Sequence, residues 1–326
     1  MPDRRINRRD FLKAVAIGTA SLGIPASAGA RGSGGQSANR DDGNEVPMQT
    51  RRLGKTGVPV KAFSLGGEAT IQMRNRRDEA VAIIDRALDL GVNYIDTSPR
   101  YGGGGSESNI GEVMARRREE VFLATKTHDR SYDGTMRLVE QSLSRLQTNR
   151  IDLYQVHNVR TDLDVTQALG ERGAVKALER LRADGTIRFT GISGHRDPGV
   201  LLRAIREYPF DCLLMSLNAA DPHVHPFQTE LLQEAITKEM GIIAMKITAV
   251  GRIFREGGIT SMEEALGYTL SFPVSTAIVG ISTIRELEEN VEIARKFRPF
   301  EPEHMERMEA LTAEYADQGN FFKLHW

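Results

Sequence analysis

NYIDTSPRYGGGGSES, residues 93–108, runs from a strand-like start into a carboxylate and then sets a phenol against four glycines. Val92, Tyr94 and Ile95 lead into Asp96, and Tyr101 stands before Gly102. A strand end followed by a glycine turn accounts for this order. So does an active-site loop, and the neighbouring segments decide which frame holds it. Eight apolar runs recur along the chain, at 60–67, 92–98, 121–127, 151–158, 188–195, 212–219, 241–247 and 276–282. They are continuous rather than alternating, the pattern of strands buried on both faces. Amphipathic segments separate them, such as RDEAVAIIDRALDLG with Gly91 at its C-cap and DGTMRLVEQSLSRLQ. Strands recurring roughly every 30 residues with helices between them predict a (β/α)₈ barrel, an α/β TIM barrel with parallel pairing.

A doubly wound open sheet is the competing architecture, but SLGGEATIQ after the first run lacks the G-x-G-x-x-G spacing of a dinucleotide site. The glycines at 102–105 also lack the Lys-Ser/Thr that completes a phosphate-binding P-loop. Ahead of the first barrel strand, MQTRRLGKTGVPVKAF predicts a hairpin that caps the barrel bottom.

The chain has 326 residues and a net charge of −1, which argues against a nucleic-acid binder driven by bulk electrostatics. Its single cysteine, Cys212, excludes an intramolecular disulfide framework and a cysteine-rich zinc site. His223 and His225 form a His-x-His pair without a third ligand at local spacing, so no metal site is expected, and their loop is expected over the substrate pocket.

Residues 1–30 have a basic start, an apolar small-residue run and Ala-x-Ala choices at Ala26/Ala28 and Ala28/Ala30, the layout of an export signal. NRRDFLK resembles the twin-arginine signal at Arg8, Arg9, Phe11, Leu12 and Lys13. It implies the twin-arginine export machinery as a partner and a periplasmic location, with the cytoplasm as the alternative if the signal is not used. Residues 31–47 read as a flexible linker, and the folded part is expected over 48–326, with no membrane segment in the mature form.

Three ionisable residues end successive strands: Asp96 after VNYI, Lys126 after VFLAT and His157 after IDLYQV. In a barrel these C-terminal ends meet on one face, where its active sites are built. A buried lysine needs a counter-charge, which Asp96 supplies, and a nearby ammonium is expected to lower the Tyr101 pKa toward neutrality. Such a tyrosine can protonate a substrate oxygen that His157 orients.

The folded part resembles the aldo-keto reductase superfamily from RRLGKTGVPV to IVGISTIRELEENV. GVNYIDTSPRYGGGGSE matches the family's Gly-x-x-x-x-Asp-Thr-x-x-x-Tyr-Gly stretch, and VFLATKT and IDLYQVHN match its third and fourth strands. The resemblance implies a catalytic tetrad of Asp96, Tyr101, Lys126 and His157. It also implies reduction of an aldehyde or ketone to an alcohol, or the reverse, with Tyr101 as general acid or base.

The resemblance further implies a nicotinamide cofactor, NADP(H) with NAD(H) as the alternative, held by Gly66, Gly67 and Asp96 and by contacts from the last four strands. Gly280, Ile281, Ser282 and Thr283 match its phosphate loop, and Glu289 and Asn290 its adenine contacts. A capped helix explains that segment without a ligand. Several positions depart from the family pattern. Glu286 stands where an arginine often grips the 2′-phosphate, with Arg285 beside it. Ser193 and Gly194 replace a Ser-Asn pair that holds the nicotinamide amide, and Met215 replaces a glutamine. Met245, followed by Lys246, replaces an aromatic ring that stacks on nicotinamide. These changes keep open a nicotinamide-binding sensor or partner subunit with little turnover. A metal hydrolase would need ligands that His157, His195, His223 and His225 do not obviously supply.

Overall fold

The computed structural model describes residues 46–325; the export signal expected at 1–30 and residues 31–45 of the expected linker lie outside the described residues. The described chain opens with an antiparallel hairpin, β1 (Thr50–Arg52) and β2 (Pro59–Lys61). Eight strands then close into a parallel barrel: β3 (Phe63–Ala69), β4 (Tyr94–Asp96), β5 (Phe122–Thr127), β6 (Ile151–Val156), β7 (Ile187–Gly194), β8 (Cys212–Ser216), β9 (Gly241–Met245) and β10 (Thr276–Ile281). Each neighbours the next in chain order, and β10 returns to β3. The (β/α)₈ expectation holds, with shorter strands than the apolar runs suggested: β4 keeps three residues of the seven expected at 92–98.

The first barrel helix buries one stripe. In α1 (Arg77–Asp89) the buried residues are Ala80, Ile83, Ile84, Ala87 and Leu88, the i, i+3, i+4 spacing of a single face. Leu90 closes it, and Gly91 at φ 86° leaves the helix in the left-handed region that glycine enters at no steric cost. Two helices rather than one, α4 (Asp162–Leu169) and α5 (Ala174–Ala183), bridge β6 and β7; between them and α1 lie α2 (Gly105–Arg117) and α3 (Tyr132–Arg145).

Because side chains alternate across a strand, each strand commits one parity to the barrel interior. The inner cluster contains Tyr94 of β4, Phe122 and Ala124 of β5, Leu153 of β6, Cys212 and Leu214 of β8, and Ile243 and Met245 of β9. Tyr94, Phe122 and Phe189 stack in turn, with centroids 5.2 and 6.2 Å apart, and fill the lower interior. Leu53, at the hairpin tip, enters the same cluster, while Lys55 N–H donates to Glu239 O (2.6 Å) just before β9. The hairpin therefore caps the N-terminal end of the barrel. The opposite parity, including Ile95, Leu123, Ile192, Leu213 and Ile242, packs against the helices.

Cys212 is buried among the interior residues, and burial pushes its thiol well above the usual range, so it acts as a small apolar filler.

Candidate active site

The inward parity delivers Asp96, Lys126 and His157 to the C-terminal end of the barrel. Lys126 is the third inward residue of β5, after Phe122 and Ala124, and it is fully buried. Its Nζ donates to Asp96 Oδ2, to Thr97 O (2.7 Å) and to Tyr101 OH (3.4 Å). An ammonium has three N–H donors, so each finds an acceptor, which is the condition for holding a charge out of water. The same Nζ lies 4.9 Å from the Tyr101 ring centroid.

Tyr101 reaches this position because the chain turns sharply after it. Gly102 has φ 57°, and a Cβ there would come within 2.1 Å of Gln72 O, so no other residue fits. Burial raises the Tyr101 pKa well above its ordinary value, and the Asp96 and Glu68 carboxylates push it the same way. This reverses the expected lowering. Lys126 is held by Asp96, so its ammonium presents little net charge to the phenol. Tyr101 therefore keeps its proton throughout the neutral range.

His157 follows β6, its N–H donating to Thr127 O (2.8 Å). Its ring meets Tyr101 edge-on with centroids 5.9 Å apart, and its Nδ1 lies 3.1 Å from Ser98 Oγ. Burial, then the positive charge of Lys126, holds its pKa well below the usual imidazole value. The ring is neutral at physiological pH.

Two partners escape a reading by sequence alone. Gln155 Nε2 donates to Asp96 Oδ1 (3.2 Å), fixing the carboxylate oxygen that Lys126 does not hold. It reaches Asp96 past Gly191, where a Cβ would meet Gln155 Cγ at 2.9 Å. Burial raises the Asp96 pKa, while Lys126 and Gln155 pull it back toward the ionised form. The other partner, Ser98, accepts the Arg100 N–H (3.2 Å) as well as facing His157. The signal for Gln155 was its spacing: it lies two residues before His157, on the same inward parity.

Above the tetrad opens a cavity of about 750 Å³, a size usual for small-molecule sites. Of the expected cofactor residues, Gly66, Gly67, Asp96, Ser193, Met245, Lys246, Gly280, Ser282, Glu286, Glu289 and Asn290 line it. Five others do not. Gly194 turns from it, since a Cβ there would meet Val159 O at 2.8 Å and Leu201. Met215 and Ile281 belong to the core between strands and helices, each one residue off the inward parity. Thr283 caps the helix α9 spanning Ile284–Lys296, accepting the Glu286 N–H (3.1 Å). The exposed Arg285 side chain pairs with Glu289 at 3.6 Å. The helices α6 (Pro198–Glu207), α7 (Glu230–Thr237) and α8 (Met262–Leu270) precede this one in the chain.

The expected phosphate loop holds a carboxylate of its own. Glu286 Oε2 accepts the N–H of Ser282 (2.7 Å), the residue before the N-cap Thr283. Lys246, at φ 58°, points its Nζ to Glu68 Oε2 at 3.4 Å.

The His223 loop does not cover the pocket. His223 Nε2 lies 2.8 Å from Glu309 O and 3.2 Å from Thr312 Oγ1, on the helix Pro302–Thr312. From the C-terminal end, Phe322 packs edge-on against His195, which lines the cavity, and Lys323 donates to Asp221 Oδ1 (2.5 Å) beneath the β8 loop. Among the described residues no group of three His, Cys, Asp or Glu stands ready for a metal ion, and no helix is long and apolar enough to cross a membrane.

A model of the aldo/keto reductase family matches residues 62–256, more than half of the chain and a range that includes residues 96, 101, 126 and 157. The chain belongs to the aldo/keto reductase family. This aldo/keto reductase is 27% identical over 295 residues to YqkF, an uncharacterized oxidoreductase of Bacillus subtilis, covering 77% of the chain and 92% of that protein. It is 28% identical over 238 residues to an aldo-keto reductase of Schizosaccharomyces pombe named for NADP(+), with 67% and 66% covered. Among solved structures, the holo form of an aldo-keto reductase from Bacillus halodurans superposes with a TM-score of 0.70 at 26% identity, over 81% of this chain and 96% of that one. The reductase is an NAD(P)-dependent oxidoreductase of this family.

Proposed function

We propose that the protein reduces a small aldehyde or ketone to an alcohol, or runs the reverse oxidation, with Tyr101 exchanging the proton. The observation that carries this reading is the contact of buried Lys126 with both Asp96 and the Tyr101 hydroxyl at the cavity floor. A bound nicotinamide supplies the hydride. The protein's own residues do the rest. Tyr101, protonated at neutral pH, gives its proton to the developing alkoxide, and Lys126 lies beside the phenolate that remains. In this reading the proton of neutral His157 sits on Nε2, with the Ser98 hydroxyl donating to Nδ1. Nε2–H is then the donor that orients the carbonyl oxygen.

NADP(H) is the cofactor assigned, supported by the family and by the fission-yeast relative named for NADP(+). NAD(H) is the alternative, because Glu286 sits on the backbone donor that a phosphate would take. The altered nicotinamide contacts, with Gly194 and Met215 turned from the cavity, support the rival reading of a nicotinamide-binding sensor or partner subunit with little turnover. Tyr101→Phe separates the two readings. Across a panel of carbonyls it should lower kcat by about 10²–10⁴-fold while cofactor affinity stays within about twofold. Turnover equal to that of the unaltered protein would remove the tetrad assignment.

The twin-arginine reading completes the proposal: export of the folded, cofactor-loaded protein to the periplasm, with retention in the cytoplasm as the alternative. Replacing Arg8 and Arg9 by lysine should leave the protein in the cytoplasmic fraction; an unchanged distribution would refute it.

A further inference from the structure

The charged side chains that line the cavity are matched within the protein, with one exception. Lys126 is held by Asp96, Lys246 by Glu68 and Glu289 by Arg285, while Glu286 accepts the N–H of Ser282. Arg100 is the exception. It lines the same cavity and is exposed, and its guanidinium finds no acceptor or counter-charge among the described residues. Gln72 ends the helical turn Thr70–Gln72 after β3, and its backbone carbonyl lies against Gly102. Its side-chain amide also lines the cavity without a partner among the described residues.

Arg100 immediately precedes Tyr101. Its backbone N–H donates to Ser98 Oγ (3.2 Å), the hydroxyl that lies 3.1 Å from His157 Nδ1. Its side chain therefore starts beside the two groups that meet a carbonyl oxygen. Partial burial and then the positive charge of Arg100 hold the His128 imidazole, just after β5, below its usual pKa. The guanidinium thus stands over the β4–β5 side of the mouth. Apart from Gly66, Gly67 and Asp96, the expected cofactor residues that reach the cavity come from β7 onward, so this charge stands on the side they leave open. A guanidinium offers paired planar donors that fit carboxylate and phosphate oxygens. In a wall whose other charges are neutralised, the unmatched one sets the sign of the group that fits.

We propose that the preferred substrate is an anionic carbonyl compound, an aldehyde or ketone whose carboxylate or phosphate binds the Arg100 guanidinium while its carbonyl meets Tyr101 and His157. The assignment rests on the carbonyl-reduction reading above and adds the substrate class to it. Arg100 selects among substrates and takes no part in the proton transfer.

The test compares matched substrates with the full chain at saturating reduced cofactor. Succinate semialdehyde against butanal reads the carboxylate, and glyceraldehyde phosphate against glyceraldehyde reads the phosphate. In at least one pair the unaltered protein should show kcat/KM about 10- to 100-fold higher for the anionic member, chiefly through KM, the effect of one hydrogen-bonded charge pair. The pair that shows it identifies the anion. Arg100→Gln should bring that ratio to about one, and Arg100→Lys, which keeps the charge without the paired donors, should restore part of it. Both members of a pair meet the same Tyr101, so a variant that only disturbs the loop slows both and leaves their ratio in place. A ratio that survives in Arg100→Gln, or no preference for either anion in the unaltered protein, overturns the assignment while the carbonyl-reduction reading stands. Turnover of no carbonyl at all removes both.

Discussion

The two halves of the barrel mouth differ in how they are built. On the half formed by β4, β5 and β6, every side chain expected in the tetrad arrives: contacts run from Asp96 to Lys126, from Lys126 to Tyr101 and from Tyr101 to His157. On the half formed by β7 to β10, the expected contacts scatter: Ser193, Met245 and Gly280 reach the cavity, while Gly194, Met215 and Ile281 do not. The difference lies in parity. The catalytic half announces its inward residues because a charge on a buried strand has only one tolerable place, the end that opens to a partner. The cofactor half is apolar on both faces, so the residues facing in and those facing out look alike.

The largest expected effect that sharpens this comparison is on stability. Met215→Gln puts an amide among apolar side chains of the outer core and should cost about 1–3 kcal/mol in chemical denaturation, with cofactor affinity unchanged. A stable variant with altered cofactor affinity would place Met215 in the cavity after all. On the catalytic half, Gln155→Leu leaves Asp96 Oδ1 without its amide partner. It should lower kcat about tenfold with little change in cofactor affinity, since Gln155 acts on Asp96 alone. Equal kcat would show that Lys126 fixes the carboxylate unaided. The smallest effect belongs to the phosphate loop. Glu286→Gln keeps a cap on Ser282 but removes the charge, and should shift preference toward NADPH over NADH by about three- to tenfold. An unchanged ratio would place the 2′-phosphate elsewhere.

Much of this was legible in the sequence. The eight apolar runs and intervening amphipathic segments carried the barrel, and the strand-end charges carried the grouping of Asp96, Lys126 and His157 at one end of it. The hairpin was legible from its Gly-rich turn, although its tip residue, Leu53, revealed its role as a plug only when set among Tyr94, Phe122 and Cys212. What the sequence could not carry was anything set by phase or by distant partners. Ile281 and Gly280 are adjacent, and only the closed sheet tells which faces inward. The Tyr101 pKa depended on a balance: the nearby Lys126 was visible, but the burial and the carboxylates of Asp96 and Glu68 that outweigh it were not. Arg100 reads in sequence as an ordinary loop residue, and its place in the cavity wall as the unmatched charge appears only in three dimensions.

The central claim is that Tyr101 remains protonated in the resting site and donates that proton. The most direct test is kcat/KM for a carbonyl substrate at saturating reduced cofactor, measured from about pH 6.5 to 9.5. With the Tyr101 pKa raised above its ordinary value of 10 and that of His157 held below 6.5, neither group titrates in this range, and the profile should be level. A fall on an apparent pKa near 7–8.5 that vanishes in Tyr101→Phe would contradict it, and would mean that Lys126 lowers the phenol despite its burial.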